Sequence, residues 1–598
     1  MQPGAENAKS VGSKRGHVCP GYALKLRWKE ENQVIVHGPA AIKSGENVNA
    51  GQLTCQSAAI SDNTQESRPL QLSTTTYPNH QYQTESKASL YYSKIANVVP
   101  VPVLPSPTAF PSLANNKQLA ILWHYFRSVC VVNSCYDSFI NPFRTGVQSL
   151  MYSSRLIYSC IMSMSAAHLS HTDPKWVLES LEYHAKAIST LRTELAKLLS
   201  GTSTSASTDE SRDHVLLGVI LLGTSSSWHP SSGLGLEHIT GSRALFKRWI
   251  YQKLDKGVSA PDWPRFSFYL GLQAYWETVA SFLVDQDLDQ LEYLNDACMK
   301  LPTNTVYVHP WTGISSTLWM LLAKAGCLTR RKRICTLLGS PLDRTLALDR
   351  LEEQARRLEG ELLAYAIPDA SGAESTYDEQ TPISHLEDIA RCCKFAALLE
   401  LYRAFATICH GRRVVDAIIA TDGKATSGRF NPDEPHHPTV ADVLAELSLG
   451  IIKTLQSIPE NSNTRCLHPL LLLISGSALS TRLLGERVLY MCPPSAPNPM
   501  LPSSPETPTT GGPGDGKDPD PITIIKSWRQ FVHDRITHVE QVINLDSMRN
   551  MRRVLQEVWA QDDELRDLTS LFPDDDVIAA EPCHWIDIME KNKLEFLF

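Results

Sequence analysis

Three clusters of acidic residues are candidate binding sites for a divalent metal ion. They are Asp285 with Asp289, Asp562 with Asp563 and Glu564, and Asp574 to Asp576. Carboxylates around a polar cavity bind magnesium together with substrate phosphates, and residues four apart share a helix face. An all-α magnesium-dependent enzyme is therefore one hypothesis. The clusters, however, stand at apparent helix ends or after Phe572-Pro573, where carboxylates cap helices and face solvent. We therefore predict no enzymatic activity.

Histidine and cysteine offer little support for a metal site. His168 and His171 are three apart on a helix, and His436-His437 is a pair in a loop. A zinc site needs three or four convergent ligands, and no cysteine lies close to either pair in the sequence. No Cys-x-x-Cys pair, P-loop, dinucleotide-binding glycine pattern or Gly-x-Ser-x-Gly motif occurs. His168 is thus interpreted as a core histidine, and we expect no cofactor in the chain as printed.

Composition predicts a soluble intracellular protein with no membrane partner. The longest apolar runs, Val215 to Gly223 and Leu470 to Ile474, are too short to span a bilayer, and no signal peptide pattern opens the sequence. The 14 cysteines form no repeating framework, which is typical of reduced thiols in the cytosol or nucleus. The formal net charge of −8 means that any contact with DNA must be local.

Helical periodicity organises the chain around residues 119–250. Apolar residues at helical spacing begin with Leu119, Leu122 and Phe126. After the turn Asn141 to Arg144, the segment SRLIYSCIMSMSAAHLSH is apolar on most sides, and such a helix must lie at the centre of a bundle. Further helical patterns continue to the C terminus without a convincing alternating strand pattern. We predict an all-α fold, a multi-helix body.

The domain organisation follows from these patterns. The helical body is predicted over residues 113–598, behind a disordered linker at 31–112 that is rich in Ser, Thr, Asn, Gln and Pro. Residues 1–30 form a separate N-terminal segment. Long loops, predicted to be disordered, interrupt the body at about 200–211, 367–382, 421–438 and 493–521.

The order of the helical motifs resembles a known family. Phe126, the NPFR turn, the buried helix ending Ser165 to Leu169, and then HITGSRALFKRW occur in the order seen in the fungal-specific regulatory domain of zinc binuclear-cluster transcription factors. The resemblance extends through HPWTG at 309–313 to Cys-His-Trp-Ile-Asp at 583–587. It implies an all-α regulatory body of a nuclear regulator of RNA polymerase II genes.

The resemblance implies that residues 1–30 are a remnant of the C-terminal end of a zinc-cluster DNA-binding head. In that family six cysteine thiolates hold two zinc ions, and Cys19-Pro20-Gly21-Tyr22 looks like the sequence that follows the cluster. Cys19 would then be the sixth ligand. One thiolate cannot coordinate two zinc ions tetrahedrally, and no cysteine precedes Cys19. Either an upstream segment supplies the missing five cysteines, with zinc as cofactor and promoter DNA as partner, or the head was lost.

Two basic clusters are candidate contact residues. Lys14, Arg15, Lys25 and Arg27 could touch DNA phosphates weakly and without sequence preference; the alternative is a solvated tail. Arg330, Arg331, Lys332 and Arg333 could be read by nuclear import receptors, or could be a solvated helix terminus.

The favoured hypothesis is a transcriptional regulator of the zinc-cluster type, represented here mainly by its helical regulatory domain. Its partners would be promoter DNA, the transcription machinery or co-regulators, and a second copy in a homodimer. The alternative is a headless helical adaptor that acts through protein partners, and the remote alternative is the all-α magnesium enzyme.

Overall fold

Helices make up almost all the regular structure of this chain in the computed structural model. The structure describes residues 26–28, 34–36, 116–200, 205–229, 233–302, 305–369, 372–409, 439–482, 520–571 and 583–596. In the N-terminal unit (Met1–Leu90), β1 (Leu26–Trp28) pairs antiparallel with β2 (Val34–Val36), with Leu26 opposite Val36.

All described α-helices belong to the second unit, Tyr91–Phe598. They are α1 (Lys117–His124), α2 (Gly146–Ser153), α3 (Arg155–Ser170), α4 (Val177–Ser200), α5 (Ser205–Ser225), α6 (Ile239–Lys256), α7 (Trp263–Ser281), α8 (Glu292–Cys298), α9 (Ser316–Thr336), α10 (Pro341–Ala364), α11 (Ile383–Ala404), α12 (Val440–Ser457), α13 (His468–Ser477), α14 (Pro521–Ile543), α15 (Asp546–Leu571) and α16 (Trp585–Asn592). A π-helical turn, Tyr125–Val129, continues α1 into Cys130–Val132. The predicted all-α fold is confirmed. No described helix has both the length and the apolar character to cross a membrane.

Helix starts follow the capping residues of the sequence. The side chains of Asn116, Ser154 and Ser315 accept hydrogen bonds from the first backbone amides of α1, α3 and α9. Thr439 and Asp442 form a reciprocal capping box at the start of α12. Each cap satisfies amides that have no partner inside the helix.

The centre of the body is built from the helices that are apolar on most sides. In α3 nearly every residue is buried, as its sequence predicts. It packs against α4, and a second series of contacts runs from α7 to α9, α11 and α12. Gly326 on α9 lets α7 approach, because a Cβ there would clash with Ser281. Trp276 and Trp319 are fully buried in this series.

Two turns named from the sequence form as expected. In the first, the Asn141 side chain accepts from the Phe143 amide at 3.0 Å, and Arg144 pairs with Asp137. In the second, His309 and Gly313 exchange backbone hydrogen bonds of 2.8 and 3.0 Å, and Gly313 takes a positive φ of 62°. Glycine adopts that conformation without steric cost.

The prediction of disorder is wrong for part of two loops. Residues 205–211 belong to α5, which begins at Ser205; helix propagation from the buried run after Val215 is cooperative and extends through serine and threonine. Within 367–382, Thr376 and Thr381 are buried, and Asp378 accepts from the Asp137 amide at 2.8 Å. Hydrogen bonds from the side chains of this loop to polar groups of neighbouring segments hold the loop in place. Residues 421–438 and 493–519 lie outside the described residues.

His168 is a core histidine, as interpreted from the sequence. Its Nε2 lies 3.0 Å from the Ile543 carbonyl, so Nε2–H donates, and its Nδ1 accepts from His124 Nε2 at 2.8 Å. This chain links α1, α3 and the end of α14. Burial lowers the pKa of His168 to about 4, although the bond to Ile543 opposes the shift. Burial and the neighbouring His168 likewise lower the pKa of His124 to about 4.

Acidification is therefore expected to destabilise the body below neutral pH. A base whose pKa is lower in the folded state contributes stability above its unfolded pKa, about 6.5, and this contribution is lost as pH falls towards the folded pKa. We expect His168 to account for a loss of about 1–2 kcal/mol between pH 7 and pH 5. Urea unfolding at both pH values should show a smaller difference for His168→Asn than for the unchanged protein. An equal difference would contradict the assignment, and pH 7 and 8 should give matching stabilities for both proteins.

Candidate functional site

The closing motif Cys-His-Trp-Ile-Asp fastens α16 onto the body. His584 is the N-cap of α16, and its Nδ1 accepts from the Ile586 amide at 3.2 Å. Its Nε2–H therefore donates to Glu400 Oε2 at 2.9 Å, and Trp585 Nε1 donates to Glu400 Oε1 at 2.9 Å. The indole of Trp585 is fully buried and packs 5.3 Å from Phe282, centroid to centroid. The Glu400 carboxylate thus accepts hydrogen bonds from both the imidazole and the indole of the motif.

Glu400 is a buried anion that the surrounding donors stabilise. Its side chain is 0% exposed, and burial alone would raise its pKa. The charges and hydrogen bonds of His584, Arg403 and Trp585 outweigh burial and lower the pKa to about 2. Burial lowers the pKa of His584 to about 3, although Glu400 opposes the shift. At neutral pH the pair is therefore a carboxylate that accepts from a neutral imidazole.

Arg403 supplies the positive charge beside this carboxylate. One of its Nη atoms lies 3.7 Å from Glu400, and the same atom donates to Ser477 Oγ at 2.8 Å. The Arg403 side chain is 8% exposed. Glu400 and Arg403, one turn apart on α11, thus join α11 to α13 and α16.

The basic cluster at the end of α9 forms the rim of the same site. Arg333 makes a two-pronged ion pair with Asp587, at 2.8 and 3.0 Å, and Arg330 pairs with Glu590 at 2.6 Å. Arg331 pairs with Asp285, and Lys332 donates to the Ala404 carbonyl. All four cations therefore make contacts within the body, and two of them hold α16. Nuclear import remains a prediction for this cluster.

A cavity of about 510 Å³ lies beneath α16. Its walls come from the C-terminal ends of α9, α11 and α13, the starts of α12 and α14, and one side of α16. His584, Arg403 and Arg333 are all on its lining. The helix ends that meet here bring charged side chains next to apolar ones, a combination suited to binding a small molecule.

The first acidic cluster does not have the geometry predicted for it. Asp285 and Asp289 do not share a helix face, because α7 ends at Ser281 and Asp289 lies in a separate 3-10 turn, Leu288–Leu291. Asp285 pairs with Arg331 at 2.9 Å. The prediction of a common face was wrong, since the apolar periodicity through Leu283 continued past the helix end.

The second acidic cluster lies inside α15 and is paired with arginine. Asp562, predicted near a helix end, is 6% exposed in the interior of α15 and accepts from Arg529 at 2.6 Å. It also accepts from the Thr481 amide at 2.7 Å. Asp563 accepts from Arg529 at 2.9 Å, which contributes to lowering its pKa. Glu564 is exposed. The carboxylates of Asp562 and Asp563 are thus paired with two cations, Arg529 and Arg566, which disfavours a magnesium site.

The remaining predicted site residues fall largely outside the described chain. Within the described ranges, no three histidine, cysteine or acidic side chains converge as metal ligands. Arg27 lies in β1. The residues outside the description are Cys19, Lys14, Arg15, Lys25, His436, His437 and Asp574 to Asp576. Zinc coordination by Cys19 and DNA contact by the N-terminal cluster therefore remain predictions.

The sequence reasoning missed Glu400, Arg403 and Arg529, which hold the site and its neighbouring helices together. A signal was present for Glu400, because it is an isolated acid within the apolar run Phe395 to Leu401. A charged residue at a core position of a helix requires a partner. The partner, 184 residues further along the chain, could not be read from the pattern.

Comparison with known proteins gives one match. The model of the fungal specific transcription factor domain matches residues 120–491 and 517–598, which is most of the chain. Neither the curated proteins nor the solved structures contain a match.

Proposed function

Because this chain belongs to the family of fungal specific transcription factor domains and is thus a fungal transcription regulator, we propose that its helical body controls transcription of RNA polymerase II genes in the nucleus. The family match carries this proposal, because it covers the helical body from α1 to α16. The same family argues against catalysis. The arginine pairing of Asp562 and Asp563 gives the magnesium-enzyme hypothesis no structural support.

The body offers a physical basis for regulation. The helix α16 is only eight residues long. Two ion pairs join it to α9, and the buried carboxylate of Glu400 joins it to α11. A ligand or protein that binds at this junction can bias the position of α16. We propose that this is how the body transmits its state to its partners.

Two forms of the proposal differ in how DNA is reached. In the first, further cysteines complete a zinc cluster with Cys19, and a homodimer places two such heads on promoter DNA. In the second, the helical body acts as an adaptor and reaches DNA through a partner. Metal analysis of the protein purified from its native source, which would include any upstream cysteines, separates the two: two bound zinc ions support the first form, and zinc-free protein supports the second.

A tethering experiment tests the function itself. The full chain is joined to an unrelated DNA-binding domain and measured on a promoter that carries its operator. We expect reporter output to change relative to the DNA-binding domain alone, because the body contacts the transcription machinery or a co-regulator. Equal output from an abundant, folded fusion would contradict the proposal. Sequencing the messenger RNA upstream of Met1 would show whether cysteines with zinc-cluster spacing are present in frame.

A further inference from the structure

The cavity beneath α16 is a space that small side chains leave open. Ala404, Ala441, Ala445 and Ala478 stand on its wall, where the ends of α11 and α13 meet the start of α12. An alanine side chain is a single methyl group, so these helix ends approach one another without filling the space between them. The volume of about 510 Å³ falls within the range of about 300–1,000 Å³ that small-molecule pockets occupy. The cavity therefore has the size of a ligand site.

One face of α12 is apolar and is turned towards this space. It carries four residues at helical spacing that line the cavity: Val440, Ala441, Leu444 and Ala445. All four are half-buried, whereas Val443 on another face of the same helix is fully buried in the body. Half-buried apolar side chains around an open space gain free energy when an apolar molecule covers them.

Two exposed apolar side chains mark the mouth of the cavity. Ile334 and Leu337, at the end of α9, are on the lining and are 37% and 84% exposed. A leucine that lines a cavity and is also mostly exposed must lie where the cavity opens to solvent. Exposure of large apolar side chains is unfavourable in water, and a ligand that fills the cavity would cover part of both.

The charged side chains of the wall already have partners within the protein. The ion pairs are Arg330 with Glu590, Arg333 with Asp587, and Arg403 with Glu400. Lys332 donates to the Ala404 carbonyl. A charged ligand would have to displace an existing partner, or leave its own charge without one at a cost in free energy. The wall therefore favours an uncharged ligand.

Two hydroxyl groups of the wall are likewise bonded within the protein. The Tyr402 hydroxyl donates to Glu359 at 2.7 Å. The Ser477 hydroxyl donates to the Ile474 carbonyl at 3.0 Å and accepts from Arg403. A ligand gains little from groups that it must first separate from other hydrogen-bond partners, so burial of apolar surface is the main source of affinity.

We propose that this cavity binds an uncharged, predominantly apolar small molecule, with its body against Ala441, Leu444 and Ala445 of α12 and one end at Leu337. The size, the apolar face of α12 and the internal pairing of the charged side chains together define this ligand class. Binding itself does not depend on the function proposed above. That the molecule acts as an effector of transcription, by biasing the position of α16, does rest on it.

A pair of fluorescent probes tests the ligand class on the full chain. The probe N-phenyl-1-naphthylamine is uncharged, and 8-anilinonaphthalene-1-sulfonate is the same aromatic body with an anionic group. We expect saturable one-to-one binding of the neutral probe and binding of the sulfonate that is about tenfold weaker, because its charge must displace an existing ion-pair partner. Equal or tighter binding of the sulfonate would overturn the uncharged class. Absence of saturable binding of the neutral probe to the folded chain would overturn the site.

A substitution at the mouth tests the apolar contact. Leu337→Ser should weaken binding of the neutral probe about fivefold, because the probe loses apolar surface that it would cover. The matched control is Leu342→Ser, at a leucine of α10 that is 69% exposed and does not line the cavity. Equal affinities of the two variants for the probe would show that the mouth makes no contact with it, and would contradict the proposed placement.

Filling the cavity tests its location. Leu444→Trp should abolish saturable binding of the neutral probe, whereas Leu178→Trp, at a leucine of α4 that is 65% exposed, should leave it intact. Ala445→Phe is a second filling variant from the same face of α12, used if Leu444→Trp lowers helical content by circular dichroism. Full binding by a folded filling variant would overturn the proposal.

The reporter experiment separates the binding site from the proposed function. If the neutral probe binds as expected and the tethered chain leaves the reporter unchanged, the site stands and the proposed function fails. If the reporter responds and the filling variants still bind the probe, the function stands and the site is overturned.

Discussion

Replacing Glu400 by leucine is expected to reduce the free energy of unfolding by about 3–5 kcal/mol, because removal of one partner of a buried pair leaves the other charge uncompensated. Arg403 would keep a buried positive charge, and His584 and Trp585 would each lose the acceptor of a hydrogen bond. The loss should be the largest among single substitutions at the α16 junction. Urea unfolding followed by circular dichroism measures it.

Two further variants separate charge from packing at this position. Glu400→Gln keeps an oxygen acceptor and should cost less than Glu400→Leu. Glu400→Leu combined with Arg403→Met removes the unpaired charge, and should recover part of the lost stability, since apolar replacement of a buried pair is often neutral. Glu564→Leu, at an exposed acid of α15, is the matched control and should change stability by less than about 0.5 kcal/mol. If the double variant recovers nothing, the charge explanation fails.

Asp562→Asn is expected to destabilise the protein by about 3 kcal/mol, because the buried Arg529 would lose its closest counter-charge. Asp562 also accepts from Ser480 and from the amide of Thr481, and asparagine can replace only part of this acceptance. The change should weaken the contact of α15 with α14 and with the end of α13.

The same variant tests the magnesium hypothesis. A magnesium site would give a thermal shift with magnesium that Asp562→Asn or Asp285→Asn removes. We expect the melting temperature to be independent of magnesium in all three proteins, since Arg529 and Arg331 already neutralise these carboxylates. Glu564→Gln, two residues away and exposed, should behave as the unchanged protein. A shift with magnesium that is lost in the aspartate variants would restore the enzyme hypothesis.

Two of the predicted disordered loops show the limits of predicting structure from local composition. The low-complexity stretch 205–211 has the composition of a loop, but it forms the first turns of α5. The stretch 367–382 is polar, yet Asp378 within it binds the Asp137 amide and the side-chain amide of Asn463, 85 residues later. The composition of a segment indicates whether the segment can bury apolar surface by itself. It does not indicate which hydrogen bonds a distant segment makes with it.

Local sequence patterns were sufficient to predict the helical fold, the central position of α3, the turns at 141–144 and 309–313, and the family. These depend on apolar periodicity, capping residues and proline or glycine turns, which act over a few residues. Three sets of contacts depend on the packing of distant segments: Glu400 accepts from His584 and Trp585, Arg330 and Arg333 pair with acids of α16, and Asp562 pairs with Arg529. The physical reason is that a buried charge requires a partner of opposite charge or a hydrogen bond, wherever in the sequence that partner lies. Packing brings together segments that are far apart in the sequence, and local patterns do not show which segments these are.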